Sequence, residues 1–152
     1  MEGYLTRQLE RLQTEHVDFY LVHGLDGEAW DRMCALGVRE FLDAERRRGR
    51  IRHAAFSFHG QKDEFPRIID QYDGWAMAQM QYNYMDTDYQ AGVDGLRYAA
   101  ESGEGAGAAL MQGDGGIQRA RRDHNHGGGG VRETLILTAL EFGVESEIIY
   151  NI

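Results

Sequence analysis

Apolar positions along the chain recur with two periods, and the switches between them predict strands alternating with helices. Leu5, Leu9 and Leu12 fall at i, i+4 and i+7, one stripe of a helix from about Thr6 to Thr14. Val17 to Val22 is a short apolar and aromatic run that reads as a buried strand ending at His23. Gly24-Leu25-Asp26-Gly27 reads as a loop, with Asp26 placed to cap a helix beginning near Glu28. Trp30, Met33, Leu36, Phe41 and Leu42 carry a helical period to Arg48, with a break at Gly37 and Gly49 closing the helix.

The same alternation continues. Ile51 to Phe58 is a second strand, and Asp63 to Tyr72 a helix that tolerates Pro66 in its first turn. Ala76 to Tyr82 is a third strand, Gln90 to Ser102 a helix, and Ala106 to Met111 a fourth strand. Strands separated by helices of about 10–15 residues call for a parallel sheet with right-handed crossovers. Such folds build their sites at the carboxyl ends of the strands. His23 and Ser57-Phe58-His59 fall at two of those ends.

The tail differs in character. Ten of the 20 glycines lie between Gly103 and Gly130, too many for the stretch to repay its ordering entropy, so a loose tail is expected. Val131 to Phe142 regains apolar content as a short helix, and Ile148-Ile149-Tyr150 suits a short strand or a frayed end. The division expected is a partial barrel over 1–111 and a divergent Gly-rich tail over 112–152.

Composition narrows the function classes. The 152 residues carry 25 acidic against 16 basic side chains, a net charge of −9, which repels phosphate backbones and argues against nucleic acid as a partner. Arg46-Arg47-Arg48 reads as a solvated helix end meeting the negative dipole terminus. Cys34 is the one cysteine, so no disulfide, zinc knuckle or iron–sulfur cluster can be assembled within the chain, and it reads as a small hydrophobe on a helix face. No apolar run approaches 18 residues and Met1-Glu2-Gly3-Tyr4 lacks a signal pattern, so a cytoplasmic protein without a membrane partner is expected.

Several candidate motifs have plainer readings. Gly103 to Ala108 fits G-x-G-x-x-A, but dinucleotide binding needs a strand before the turn and a helix after it, the reverse of the order here. His124 and His126 are flanked by glycines that cannot preorganise a metal site, so no metal is expected. Trp30, Trp75, Tyr82 and Tyr84 read as packing, and His53 as the polar face of its strand.

Three blocks, Asp18-Phe19-Tyr20-Leu21-Val22-His23, Phe56-Ser57-Phe58-His59-Gly60 and Gln79-Met80-Gln81-Tyr82-Asn83-Tyr84-Met85-Asp86, together resemble the middle of an aldo-keto reductase. The Ser-Phe-His-Gly and Gln-Tyr-Asn-Tyr-Met-Asp versions resemble the bacterial subgroup with a C-terminal iron–sulfur extension. The resemblance implies a (β/α)8 TIM barrel, present here as about four parallel β-α units. It also implies NADP-dependent hydride transfer to an aldehyde or ketone. His23 matches the histidine that orients the substrate carbonyl; Ser57 and Gln79 match residues that hold the nicotinamide carboxamide. The family's usual Asn beside that serine is Phe58 here. His59, Tyr82 and Asn83 are candidate substrate-pocket residues.

The physical requirements agree with these residue types. Hydride transfer needs the reacting atoms held about 3–3.5 Å apart and donors aimed at the developing oxyanion. A neutral imidazole can donate such a bond, and a glutamine both donates and accepts against a carboxamide edge.

A full barrel typically takes about 250 residues. The family's Asp, Tyr and Lys precede the matched segment; Lys62, the only lysine, falls in a loop after the second strand. The family pattern fails after about Gly103, which suggests a truncated or frameshifted product. The alternative is a catalytically inactive half-barrel remnant, acting if at all through self-association at open sheet edges or through a partner chain.

Overall fold

Apolar runs too short for helices but rich in β-branched and aromatic residues pair side by side. The computed structural model describes residues 1–81, 86–102, 109–113, 116–119 and 148–150. Strands β1 (Val17–Leu25), β2 (Ile51–Phe58) and β3 (Trp75–Gln81) run parallel, with Val17 opposite Ile51, Phe56 opposite Ala78 and Ser57 opposite Gln79. Strand β4 (Ala109–Gly113) extends the parallel set beyond β3. Helices connect these strands: α2 (Gly27–Ala35) and α3 (Val38–Arg47) after β1, α4 (Glu64–Asp70) after β2, α5 (Gly92–Glu101) after β3, with α1 (Glu2–Leu12) leading in. Consecutive strands that are spatial neighbours, each followed by helix, make the repeating unit of a (β/α) barrel. Among the described residues this is an open α/β sheet consistent with a partial TIM barrel.

The period-2 alternation of strand side chains decides which face packs where. Tyr20 and Val22, Ala54, Phe56 and Phe58, and Ala78 and Met80 join Leu5, Trp30, Leu42, Phe65, Ile68 and Leu96 from the helices in one buried core. Each of the large apolar side chains among these contributes about 1.5–3 kcal/mol before ordering costs. Trp75 is the hub of this layer, with ring centroids 4.8 Å from Phe56, 4.9 Å from Tyr72 and 5.6 Å from Trp30. Its indole N–H donates to the Ile68 carbonyl at 3.0 Å, so burial leaves no polar group stranded. The other face of the sheet carries a smaller cluster made only of strand residues: Phe19, Leu21, Ala55 and Met77.

Local signals place the helix ends as the sequence predicts. The Asp26 carboxylate accepts from Ala29 N–H at 2.7 Å, satisfying an orphan donor of α2. Gly37, at φ +79°, separates α2 from α3 in a conformation that costs glycine little. Gly49 follows α3, its N–H donating to the Arg46 carbonyl. Cys34 is half-buried on α2 against the core.

Four expectations are corrected. Helix α1 begins at Glu2, not Thr6, because fully buried Leu5 anchors its first turn and Met1 O accepts from the Tyr4 N–H. Strand β1 continues past His23 to Leu25, since the ladder to β2 resumes at Leu25 opposite Phe58. Strand β5 (Gly116–Arg119), placed in the tail with no strand expected, pairs antiparallel with β4. Strand β6 (Ile148–Tyr150) pairs with β1 and β5 with β4, so β6 and β5 form the edges of the described open sheet. Arg48 is not merely solvated; it pairs with Glu45 and with Glu2 of α1, both at 2.8 Å. The helix expected over 131–142, the glycine-rich 103–108 motif, Tyr84 and the 124–126 histidines lie outside the described residues.

Candidate active site

One step beyond the Phe19, Leu21, Ala55 and Met77 cluster, the alternation brings three polar residues to the same face at the strands' carboxyl ends. They are His23 on β1, Ser57 on β2 and Gln79 on β3. Ser57 and Gln79 are register partners on adjacent strands and are only 2% and 5% exposed, so both are held rigidly in the floor. His23 is exposed at the rim. The face therefore grades from apolar, through buried hydrogen-bonding groups, to open imidazole.

A strand irregularity sets this arrangement. The β1–β2 register shifts between Val22 and Leu25, so the strand bulges around His23 and Gly24. Gly24 sits at φ +71°, where an L side chain would be strained. Its N–H leaves the ladder and donates instead to Ser57 Oγ at 2.7 Å. The ladder is picked up again by the His59 N–H, which donates to the Leu25 carbonyl at 2.8 Å.

That bond places His59 beside His23, with ring centroids 6.0 Å apart and planes at 63°. Partial burial of the His59 ring, and then the neighbouring His23, lower its basicity below the usual histidine range. From the far side, Gln90 donates to the His59 carbonyl at 3.5 Å. The Glu64 carboxylate ties down the loop after β2 by accepting from Gln61 N–H at 2.6 Å, while Arg67 of α4 donates to the Gly27 carbonyl of α2 at 2.9 Å.

Of the residues singled out from sequence, His23, Ser57, Gln79 and His59 come together at one rim. Tyr82 and Asn83 lie outside the described residues. His53 does not belong to the site: it stacks on Phe19 at 5.0 Å, four positions down the strand from Ser57, about 13 Å along a strand axis. Lys62 lies in the loop after β2, where it pairs with Asp94 of α5. The contribution of Gly24 was missed, although a glycine within a strand is itself a bulge signal.

Among the described residues no group of three or more His, Cys, Asp and Glu stands close enough to hold a metal. No described helix is long and apolar enough to cross a membrane. An open groove of about 660 Å³, lined by residues including Arg39, Asp43, Arg46 and Tyr72, involves the turn before β3 and so belongs to the opposite end of the strands.

The rim thus offers a hydroxyl and a carboxamide side by side in the floor, with two imidazoles above. The remaining O–H of Ser57 and the amide group of Gln79 match the acceptor and donor edges of a planar carboxamide. A family model for the Aldo/keto reductase family matches residues 2–122. The search of curated proteins and that of solved structures each returned no match.

Proposed function

The chain belongs to the aldo/keto reductase family, and on that premise we propose that its rim serves NADP-dependent reduction of an aldehyde or ketone. The observation that carries this reading is the convergence of His23, Ser57 and Gln79 on one face at three adjacent strand ends. A reduced nicotinamide, when bound, supplies the hydride that converts the carbonyl to an alkoxide.

Everything else falls to the chain's own side chains. Ser57 would donate to the carboxamide oxygen of the nicotinamide, and Gln79 would accept from its amide. Both are buried, so their hydrogen bonds do not compete with bulk water. His23 donates to the carbonyl oxygen and stabilises the negative charge as it develops there. The alkoxide needs one proton to become the alcohol, and among the described rim residues the imidazoles of His23 and His59 can carry it. His59, just past the end of β2, borders the carbonyl from that side.

Titration of the full chain with NADPH, followed by nucleotide fluorescence, tests the reading. Saturable binding is expected, about tenfold weaker in Gln79→Leu, the loss of roughly one buried hydrogen bond. Binding unaffected by that change, or no binding in the parent protein, overturns the proposal.

A further inference from the structure

Ser57 has a second task, visible in what its hydroxyl already does. A serine oxygen has one proton to donate and two lone pairs to accept with. Here it accepts the Gly24 N–H, 33 positions away in sequence, at 2.7 Å. That N–H is the donor which the β1 bulge takes out of the ladder. Without Ser57 it would lie half-buried with no acceptor, and the bulge would lose what compensates the interrupted ladder.

The bulge also sets the backbone beside His23, a residue that alternation keeps on the Phe19 and Leu21 face. Two residues of β1, His23 and Gly24, occupy the irregular step facing Ser57, and the ladder recovers only at Leu25 opposite Phe58. Closing the bulge by one residue would turn the following positions to the other face of the sheet. Leu25, whose carbonyl holds the His59 N–H at 2.8 Å, would turn with them and carry the His59 ring away from His23, now 6.0 Å distant.

We propose that Ser57 is a positioning residue for His23, acting through the Gly24 N–H. Resting on the function proposed above, it also couples nicotinamide binding to the aim of His23. The coupling has a physical basis. A hydroxyl that donates its proton becomes a better acceptor, because linked hydrogen bonds polarise one another. A carboxamide that accepts the Ser57 hydrogen bond would therefore tighten the Gly24 bond and hold the bulge more firmly.

The test is NMR on the full chain, following Gly24 amide exchange and the His23 ring resonances, with His53 as a remote control. In Ser57→Ala, Gly24 exchange is expected to rise about tenfold and the His23 signals to move, while those of His53 stay. Ser57→Thr, which keeps the acceptor oxygen, should restore both. Gly24→Ala tests the bulge without touching the hydroxyl. A Cβ there meets nothing within 4 Å, so only the φ of +71° is strained; His23 should shift, and less so in Gly24→Asn, which tolerates that backbone.

Adding NADP⁺ to the parent protein should slow Gly24 exchange and move His23, and should do neither in Ser57→Ala. Unchanged Gly24 exchange and His23 signals in Ser57→Ala overturn the positioning role, whatever the nucleotide does. Nucleotide binding that leaves Gly24 and His23 unmoved overturns the coupling. Failure of NADP⁺ to bind any variant refutes the cofactor reading and the coupling with it, while the Ser57→Ala comparison still decides the positioning role.

Discussion

Glu45, at 1% exposure, accepts a hydrogen bond from Arg50 Nε at 2.5 Å and another from Arg48 at 2.8 Å. The pair ties the end of α3 to the start of β2, and Arg50 also reaches Thr6 of α1 at 3.2 Å. A carboxylate this buried is tolerable only because two guanidinium groups meet it. The Arg50 hydrogen bond holds the Glu45 carboxyl below the ordinary carboxylate range, outweighing the burial that would raise it.

Glu45→Gln should therefore cost about 2–3 kcal/mol, below the full penalty for a buried pair because Arg48 is half-exposed. The pH dependence follows from the lowered pKa. The stabilisation is complete above the unfolded value of about 4.3 and is lost as pH falls through the lower folded value. Urea unfolding across the acid range should show a steep loss in the parent protein and a flatter one in Glu45→Gln. Equal slopes would remove the carboxylate from the account.

His53 acts with the same sign at higher pH, for a different reason. Burial beside Phe19, then the positive Arg46, lower its pKa, with Asp18 opposing. The fold thus holds the imidazole neutral, while the unfolded chain takes up a proton below about 6.5. Stability should rise with pH through the window between the lowered folded value and about 6.5, and level off on either side of it. His53→Gln should shrink the difference in urea midpoint between pH 5.5 and pH 7.5. His59, also lowered, leaves a residual dependence.

Gly60 marks where the site loop meets α2. A Cβ built there would lie 3.0 Å from both Cα and Cβ of Asp26, the residue that caps α2, and would also crowd the Glu64 carboxylate. The carboxylate can swing away, but the Asp26 backbone cannot. Gly60→Ala should destabilise by about 1–3 kcal/mol, as overpacking does. Because His59 immediately precedes it, the His59 ring resonances should shift with the loss of thermal stability. A variant as stable as the parent, with unmoved His59 signals, would show that the loop has room to yield.

The order of strands and helices was legible because each element carries its own period: Val17 to Val22 and Ile51 to Phe58 as dense apolar runs, Leu5 with Leu9 as a helical stripe. His23 and Ser57 were also within reach, since strand ends collect chemistry, whereas Gln79 was singled out only by the family resemblance of its block. The bulge was not, although Gly24 was in plain view. A glycine after a histidine reads equally as a loop, and only the pairing of Leu25 with Phe58 decides for a strand. Nor could a sequence show that β6 pairs with β1, a contact made across more than a hundred residues.

Tyr72 offers the sharpest spectroscopic check on the helix-side layer. Its hydroxyl donates to Asp43 at 2.8 Å, while its ring packs edge-on against Trp75 at 4.9 Å. Burial, and then the bond to the Asp43 carboxylate, push the phenol up to about 12. An ionised phenolate beside a carboxylate and an indole would forfeit both contacts. Ultraviolet titration at alkaline pH should accordingly show a tyrosine that resists ionisation until near pH 12, and Tyr72→Phe should delete that step alone. Since the unfolded phenol ionises near 10, its stabilisation should weaken as pH rises above that value. Tyr72→Phe, which keeps the ring and removes the hydroxyl, should cost about 1 kcal/mol at neutral pH. An unchanged titration curve in that variant would mean the Asp43 bond is not held in solution.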